Sequence, residues 1–206
     1  LDANTTGSSN VAIGLNAGKL STTCEGNVYI GSGAGHNNTT GSGNIAVGYN
    51  CGYGCTTGTH NVSMGHDAGN ILNTGVGNTS IGRMANRTGY GDGCTIMGYK
   101  AGYNVTNGEG NTMIGKESGY DTTSGAYNTF IGMNSGNTNG TGDNCIAVGR
   151  SAVMSSGGVD NEIVLGNSSN DNLRCADTSI SGLSDERDKT NIVDIPLGLS
   201  FLNTVR

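Results

Sequence analysis

The stretch that decides the fold is NIAVGYNCGYGCTTGTHNVSMG, residues 44–65, because it holds one complete repeat and the start of the next. Its pentapeptides NIAVG and NVSMG recur in varied form, ten times in all. The glycines that close them are spaced 17 residues apart, with one spacing of 16, and are Gly14, Gly31, Gly48, Gly65, Gly82, Gly98, Gly115, Gly132, Gly149 and Gly166. A fixed period of this kind is typical of solenoids, in which each repeat forms one coil.

We number positions within a repeat from its closing glycine, position 0. Position −1 is always large and apolar, and position −3 is always β-branched, so the two share one face of a short strand. We therefore predict that this face is the core. Position +3 is always Ala, Ser or Cys, which predicts a second inward position with tight packing.

Two further columns describe the turns. Position −7 is often a glycine that follows Thr, Ser or Asn, which predicts a turn with positive φ; these residues are Gly41, Gly58, Gly75, Gly108, Gly125 and Gly142. Position −4 is Asn in seven of ten repeats, and stacked Asn side chains can hydrogen-bond along a stack of coils.

A unit of two short strands and two turns is too small to bury its own inner face, so it must stack on its neighbours. We predict an all-β fold, a parallel β-solenoid of about ten coils, about 50 Å long at roughly 4.8 Å per coil. Helices are excluded almost throughout, because frequent glycines and β-branched columns oppose them.

The composition limits the function classes. The chain has 206 residues, 38 of them Gly, one Pro and no Trp, which argues against a single large core. The net charge of −6 and the lack of a Lys/Arg cluster argue against nucleic-acid binding. The sequence contains no run of 18 apolar residues, so it gives no sign of a membrane-spanning segment. We expect no cofactor, and we interpret the chain as a piece of a longer protein because it begins without a signal-like segment.

Over residues 1–170 the repeat resembles the head repeats of YadA-like trimeric autotransporter adhesins and of many phage tail fibres. This resemblance implies a left-handed parallel β-roll in which three chains associate side by side as a homotrimer. The adhesin repeat is usually a few residues shorter, and the outline of the coil here differs accordingly.

The segment SDERDKTNI, residues 184–192, is similar to the start of the intramolecular chaperone domain of endosialidases and other tail spikes and fibres. The residues that match that motif are Ser184, Asp185, Arg187, Lys189, Asn191 and Ile192. The resemblance implies that the chaperone trimerises the fibre and then cuts itself off between Ser184 and Asp185. In this reading Ser184 is the nucleophile and Lys189 its base, which must be neutral to act; nearby Arg187 helps lower its pKa.

These features divide the chain into three parts: a repeat shaft over 1–170, a connector over 171–183 and the truncated N-terminal part of a chaperone domain over 184–206. The last part predicts a strand, NIVDI, and then a helix that begins at Pro196.

The two resemblances predict a virion structural and attachment protein, a segment of a tail fibre or tail spike outside the cell. The alternative is the head domain of a cellular trimeric surface adhesin. An adhesin needs a coiled-coil stalk and a membrane anchor after its repeats, whereas this chain passes directly into the chaperone motif. The only enzymatic activity we expect is a single self-cleavage by a Ser–Lys dyad.

Tyrosines form two columns, Tyr49 and Tyr99 at position +1, and Tyr53, Tyr103 and Tyr120 at position +5. Because the other residues in these columns vary, we predict that the tyrosines face outward. They then form either a binding strip for a host receptor or glycan, or plain surface.

The six cysteines are scattered over different columns, with only Cys94 and Cys145 sharing the Asn column, which predicts free and mostly packed thiols, although a disulfide pairing stays open. Cys51, Cys55, His60 and His66 have the outer spacings of a zinc finger, but the four residues between Cys55 and His60 are too few for the usual finger loop. We therefore predict no metal site.

The chaperone motif generates the first prediction. The intact denatured mass of the full-length protein should show two fragments that meet at the Ser184–Asp185 bond, because the serine hydroxyl is the nucleophile. The Ser184→Ala variant should give one uncut chain. A single uncut chain in both proteins would remove the peptidase assignment.

Overall fold

The repeat predicts stacked coils, and the computed structural model contains them; it describes residues 1–71 and 73–171. Each coil contributes one three-residue strand to a single parallel sheet whose strand order follows the sequence. The strands are β1 (Val11–Ile13), β2 (Val28–Ile30), β3 (Ile45–Val47), β4 (Val62–Met64), β5 (Thr79–Ile81), β6 (Thr95–Met97), β7 (Thr112–Ile114), β8 (Thr129–Ile131), β9 (Ile146–Val148) and β10 (Ile163–Leu165). The parallel β-solenoid is thus confirmed.

In the sheet each strand residue pairs with the equivalent residue of the next repeat. Val28 pairs with Ile45, 17 residues later. In the single 16-residue repeat Thr79 pairs with Thr95, so the strand register survives the deletion. The shortening lies in the loop between Ala85 and Gly91, which has one residue fewer than the equivalent loops of the other coils.

One prediction about the coil is wrong: each coil has one strand, not two, within the described residues. The rest of the coil is a series of turns whose backbone groups bond to the neighbouring coil. For example, Gly35 N–H donates to the carbonyl oxygen of Cys51 at 2.9 Å, and Thr39 N–H donates to that of Thr56 at 2.9 Å. These turns therefore supply the backbone hydrogen bonds between coils that the predicted second strand would have supplied.

The identity of the core face is also different from the prediction. The period of two along the strand is correct, but the middle residue, position −2, points inward; it is buried in β2 to β9, whereas no residue at −3 or −1 is buried. Position −2 varies widely in size because stacked coils share one interior: Tyr29 lies between Ala12 and Ala46 in the sheet. The core column is therefore position −2, whose residues vary in size, and the more uniform columns at positions −3 and −1 lie outside the core.

The rest of the interior is filled from the turns. Position +3 is buried in the first nine coils, which confirms the small inward column, and only Ser169 in the last coil is exposed. Position +7, which the sequence pattern does not single out, also points inward, as Val105, Thr122 and Asn139 show. In coil 2 the hydroxyl of Tyr29 reaches across the interior to the side-chain amide of Asn38.

The glycines at position −7 are conserved in the repeat for a reason other than positive φ. Gly41, Gly108 and Gly125 do not have positive φ. A Cβ added at Gly41 would instead overlap the carbonyl oxygen of Gly58 in the next coil. Close coil-to-coil approach excludes the side chain here, while the closing glycines do need the backbone freedom, as Gly48 with φ +139° shows.

The predicted Asn ladder is confirmed. The side chain of Asn44 accepts a hydrogen bond from the backbone N–H of Asn61 at 3.0 Å and donates one to the carbonyl oxygen of Gly58 at 2.8 Å. Both partners belong to the next coil, so each Asn fixes the turn and the strand entry of its neighbour. In two coils a cysteine replaces the Asn; the thiol of Cys94 still donates to the carbonyl oxygen of Gly108 at 3.3 Å.

This ladder generates the second prediction. Asn44→Ala removes the partners of two backbone groups, those of Gly58 and Asn61, and should lower the free energy of unfolding by roughly 2–4 kcal/mol. Asn44→Cys keeps a donor, as at Cys94, so it should cost less than Asn44→Ala. Urea unfolding monitored by circular dichroism measures both; equal midpoints for wild type and Asn44→Ala would contradict the role assigned to the ladder.

Candidate self-association surface

The outward side chains of the ten strands form a continuous and largely apolar strip, which we call the outer strip: positions −3 and −1 of β1 to β10, with Thr at position −3 in β5 to β8. Position −1 carries the larger residues, such as Ile114, exposed by 37%, and Ile131, exposed by 39%. The full set at position −1 is Ile13, Ile30, Val47, Met64, Ile81, Met97, Ile114, Ile131, Val148 and Leu165.

The strip is long because the strands are in register. Equivalent residues lie one above another at about 4.8 Å per coil, so ten coils make two columns on the order of 40 Å long. Isolated exposed apolar residues are ordinary, whereas monomeric proteins rarely expose a contiguous apolar patch of this length. The chemistry of the outer strip suits burial against another apolar surface.

The tyrosines at position +1 lie where the sequence predicted. Tyr49 is exposed by 53% and Tyr99 by 37%. Their rings contact neighbours along the stack: the ring of Tyr49 lies 5.0 Å from that of His66, and the Arg83 guanidinium lies 5.8 Å from the ring of Tyr99.

The tyrosines at position +5 are only half-exposed, because they stack on the residues of adjacent coils. The rings of Tyr103 and Tyr120 are 5.2 Å apart and nearly parallel, and Tyr53 stacks on His36 at 4.7 Å. Arg87 covers Tyr103 from the preceding coil at 5.6 Å, and the Lys100 ammonium lies 5.5 Å from the ring centre of Tyr103.

These contacts change what the tyrosines can do. A sugar that binds an aromatic side chain usually stacks on the ring face, and in Tyr103 both faces are already in contact with neighbours. The column therefore stabilises coil stacking through aromatic and cation–π contacts. Only the ring edges and hydroxyl groups of the position +5 tyrosines are accessible to a ligand. The surface available for the predicted binding strip is therefore smaller than the sequence suggested.

The residues with zinc-finger spacing do not form a metal site. Cys51 and Cys55 are buried, and the thiol of Cys55 donates to the carbonyl oxygen of Gly58 at 3.7 Å. His66 instead contacts Asp67, with Nδ1 and Oδ2 3.0 Å apart. Within the described residues no three His, Cys, Asp or Glu side chains are grouped so as to hold a metal ion.

The cysteines in the described range confirm the prediction of free, packed thiols. Cys24, Cys51, Cys55, Cys94 and Cys145 are all buried and unpaired. Burial raises the pKa of Cys51 to about 12 and that of Cys55 to about 11, because a thiolate would lose its hydration. The thiols of Cys51 and Cys55 are therefore neutral and unreactive at physiological pH.

The residues assigned to self-cleavage lie outside the described residues. This applies to the nucleophile Ser184, the base Lys189 and the rest of the motif, to the helix predicted at Pro196 and to nearly all of the connector 171–183. The surface that sequence reasoning missed is the outer strip. The uniformly large apolar residues at position −1 could have indicated this strip. The shared interior of stacked coils needs side chains of varied size, whereas a flat surface that repeats from coil to coil does not.

Comparisons with known proteins give no identification: no family model, no curated protein and no solved structure matches this chain. In the part of the chain that the structure describes, no helix combines the length and the apolar character that a membrane crossing requires. The geometry of the coils therefore carries the functional argument.

The buried thiols generate the third prediction. Because burial raises the pKa of Cys51 from 9.0 to about 12, its contribution to stability is complete below pH 9 and is lost as the pH rises towards 12. Cys51→Ala, which installs the residue most common at position +3, should remove this contribution. At pH 10.5 the wild type should have lost roughly 2 kcal/mol more than the variant, relative to pH 8. Identical pH profiles in urea titrations would contradict the burial of this thiol.

Proposed function

We propose that this chain is a shaft segment of a homotrimeric attachment fibre, a tail fibre or tail spike of a virion, in which three solenoids pack their outer strips around a common axis. The observation that supports the proposal is the outer strip itself, which leaves large apolar residues exposed to water on nine of the ten coils of a single chain, all except the coil of β5. A chain that folds this way gains stability by self-association.

The size of the outer strip is compatible with a stable interface. Two side chains on each of ten strands, each exposing tens of Å², give on the order of 1,000 Å² per chain. In a trimer each chain divides its strip between two neighbours, so each contact buries about 1,000 Å² counted over both partners, which reaches the lower limit expected of a biological interface. The strip is apolar throughout position −1 and carries Thr at position −3 in only four strands, β5 to β8, which resembles obligate oligomers more than transient complexes.

Support for three chains and for a virion comes from the sequence. The repeat resembles the heads of trimeric adhesins and fibres, and the motif at Ser184 to Ile192 is similar to the start of a fibre chaperone. In this proposal the chaperone trimerises the shaft and is released by cleavage after Ser184, and the mature shaft holds the receptor-binding end of the fibre away from the particle.

The proposal generates the fourth prediction. In sedimentation equilibrium the chain should have three times its monomer mass of 20.8 kDa. The double variant Ile114→Asn with Ile131→Asn places polar groups in the strip of every chain, so the association constant should fall by roughly 100-fold or more. Circular dichroism should stay unchanged, because neither side chain contributes to the inside of the coil.

The matched control is Leu20→Asn, since Leu20 is 40% exposed but lies at position +6, away from the strip. This variant should remain trimeric. A wild-type chain that is monomeric at micromolar concentration, or a double variant that associates as tightly as wild type, would contradict the proposal.

A further inference from the structure

The outer strip is bordered on one side by acidic residues. Position −6 precedes the strand, and five of its ten residues are acidic while none is basic. All five are exposed, and they are Glu25, Asp92, Glu109, Asp143 and Asp160. We call this column the acidic flank.

The opposite side of the strip is basic and aromatic. Position +1 follows the strand, and it contains Arg83, Lys116 and Arg150 but no acidic residue. All three cations are exposed. Because each strand runs from position −3 to position −1, positions −6 and +1 lie beyond its two opposite ends, and we call the second column the basic flank.

Because the two flanks carry opposite charge, two chains that pack through their outer strips make different charge contacts when their stacks run parallel and when they run antiparallel. When two strips face each other with their coils stacked in the same direction, rotation about the stacking axis places the acidic flank of one chain beside the basic flank of the other. When the directions are opposite, equal flanks meet and like charges repel. A ring of three chains is a parallel, heterologous arrangement, in which every contact joins the two different flanks.

A closed ring also fixes which coils meet. Its symmetry axis carries no translation along the stack, so each coil faces the same coil of the next chain. In the coil closed by Gly115, the acidic flank has Glu109 and the basic flank has Lys116. In the coil closed by Gly149, the equivalent residues are Asp143 and Arg150.

Within its own chain neither carboxylate has a cationic partner among the described residues. Glu109 accepts a hydrogen bond from the hydroxyl of Tyr127, and Oδ1 of Asp143 accepts one from the backbone N–H of Ala126 at 2.8 Å. Each carboxylate keeps a second oxygen for another donor. Lys116 approaches Glu117 at 3.9 Å, a long contact on an exposed surface.

We infer that the chains associate in parallel and that two ion pairs between neighbouring chains, Glu109 with Lys116 and Asp143 with Arg150, select this direction at the rim of the apolar interface. The inference rests on the proposed self-association through the outer strip. Burial of the strip supplies the affinity, and the flanks supply the specificity.

A charge exchange tests the pairs, using the full chain. Lys116→Glu places like charges together at three equivalent contacts in a trimer, so the association constant should fall by roughly tenfold or more at low salt. The double variant Glu109→Lys with Lys116→Glu restores opposite charges and should recover most of the wild-type value. The loss in the single variant should shrink as the salt concentration rises, because salt screens exposed charges.

The control is Lys19→Glu, which makes the same change of net charge at position +5, away from both flanks, and should associate like wild type. If Lys116→Glu associates as wild type does, or if the double variant fails to recover, the ion pairs are overturned while the trimer and the proposed function stand. Loss of the wild-type trimer would instead overturn the proposed function.

Energy transfer between dyes on the N-termini of different chains tests the direction. Parallel chains bring their first coils together, so transfer should be efficient. Antiparallel chains would separate the dyes by about 40 Å, which corresponds to the nine steps of roughly 4.8 Å between the first and the tenth coil, and a distance of that size would overturn the inference.

Discussion

The structure depends on one constraint: the backbone of each coil finds most of its hydrogen-bond partners in the next coil. Strand residues pair in parallel register, and turn residues do the same, as the bond from Gly35 to Cys51 shows. The Asn side chains at position −4 add bonds in the same direction along the stack. An isolated coil would leave these groups without partners, so the coils are stable only as a stack.

The same constraint decides what lies inside and outside. Since coils approach closely, positions −7 and 0 admit only glycine at most coils, and the interior has room for a few side chains per coil. These come from positions −2, +3, +7 and −4. The large residues at −1 have no place within a single chain, and stacking aligns them into the outer strip. The proposed self-association follows from how little the coil can enclose.

Stacking also changes the role of surface side chains. Equivalent residues of neighbouring coils lie close enough for rings to pack on rings, as Tyr103 and Tyr120 do, and for cations to lie near them, as Lys100 does. Aromatic residues that would be candidate ligand-binding groups on a flat surface thereby become part of the fold. Charges at positions −6 and +1 are likewise collected into two separate columns, which gives the strip a direction.

The sequence by itself determined the repeat, the solenoid, the Asn ladder and the small inward column, because these follow from a period and from residue types that repeat with it. It did not determine which strand face is the core. Alternation along a three-residue strand allows either face, and the uniform apolar column at Ile114 and its equivalents favoured the wrong one. Only the tertiary structure decided this, since the direction in which the turns close the coil sets which face is enclosed. The turns similarly decided that Gly41 is needed for close approach to Gly58, and that the faces of Tyr103 are covered.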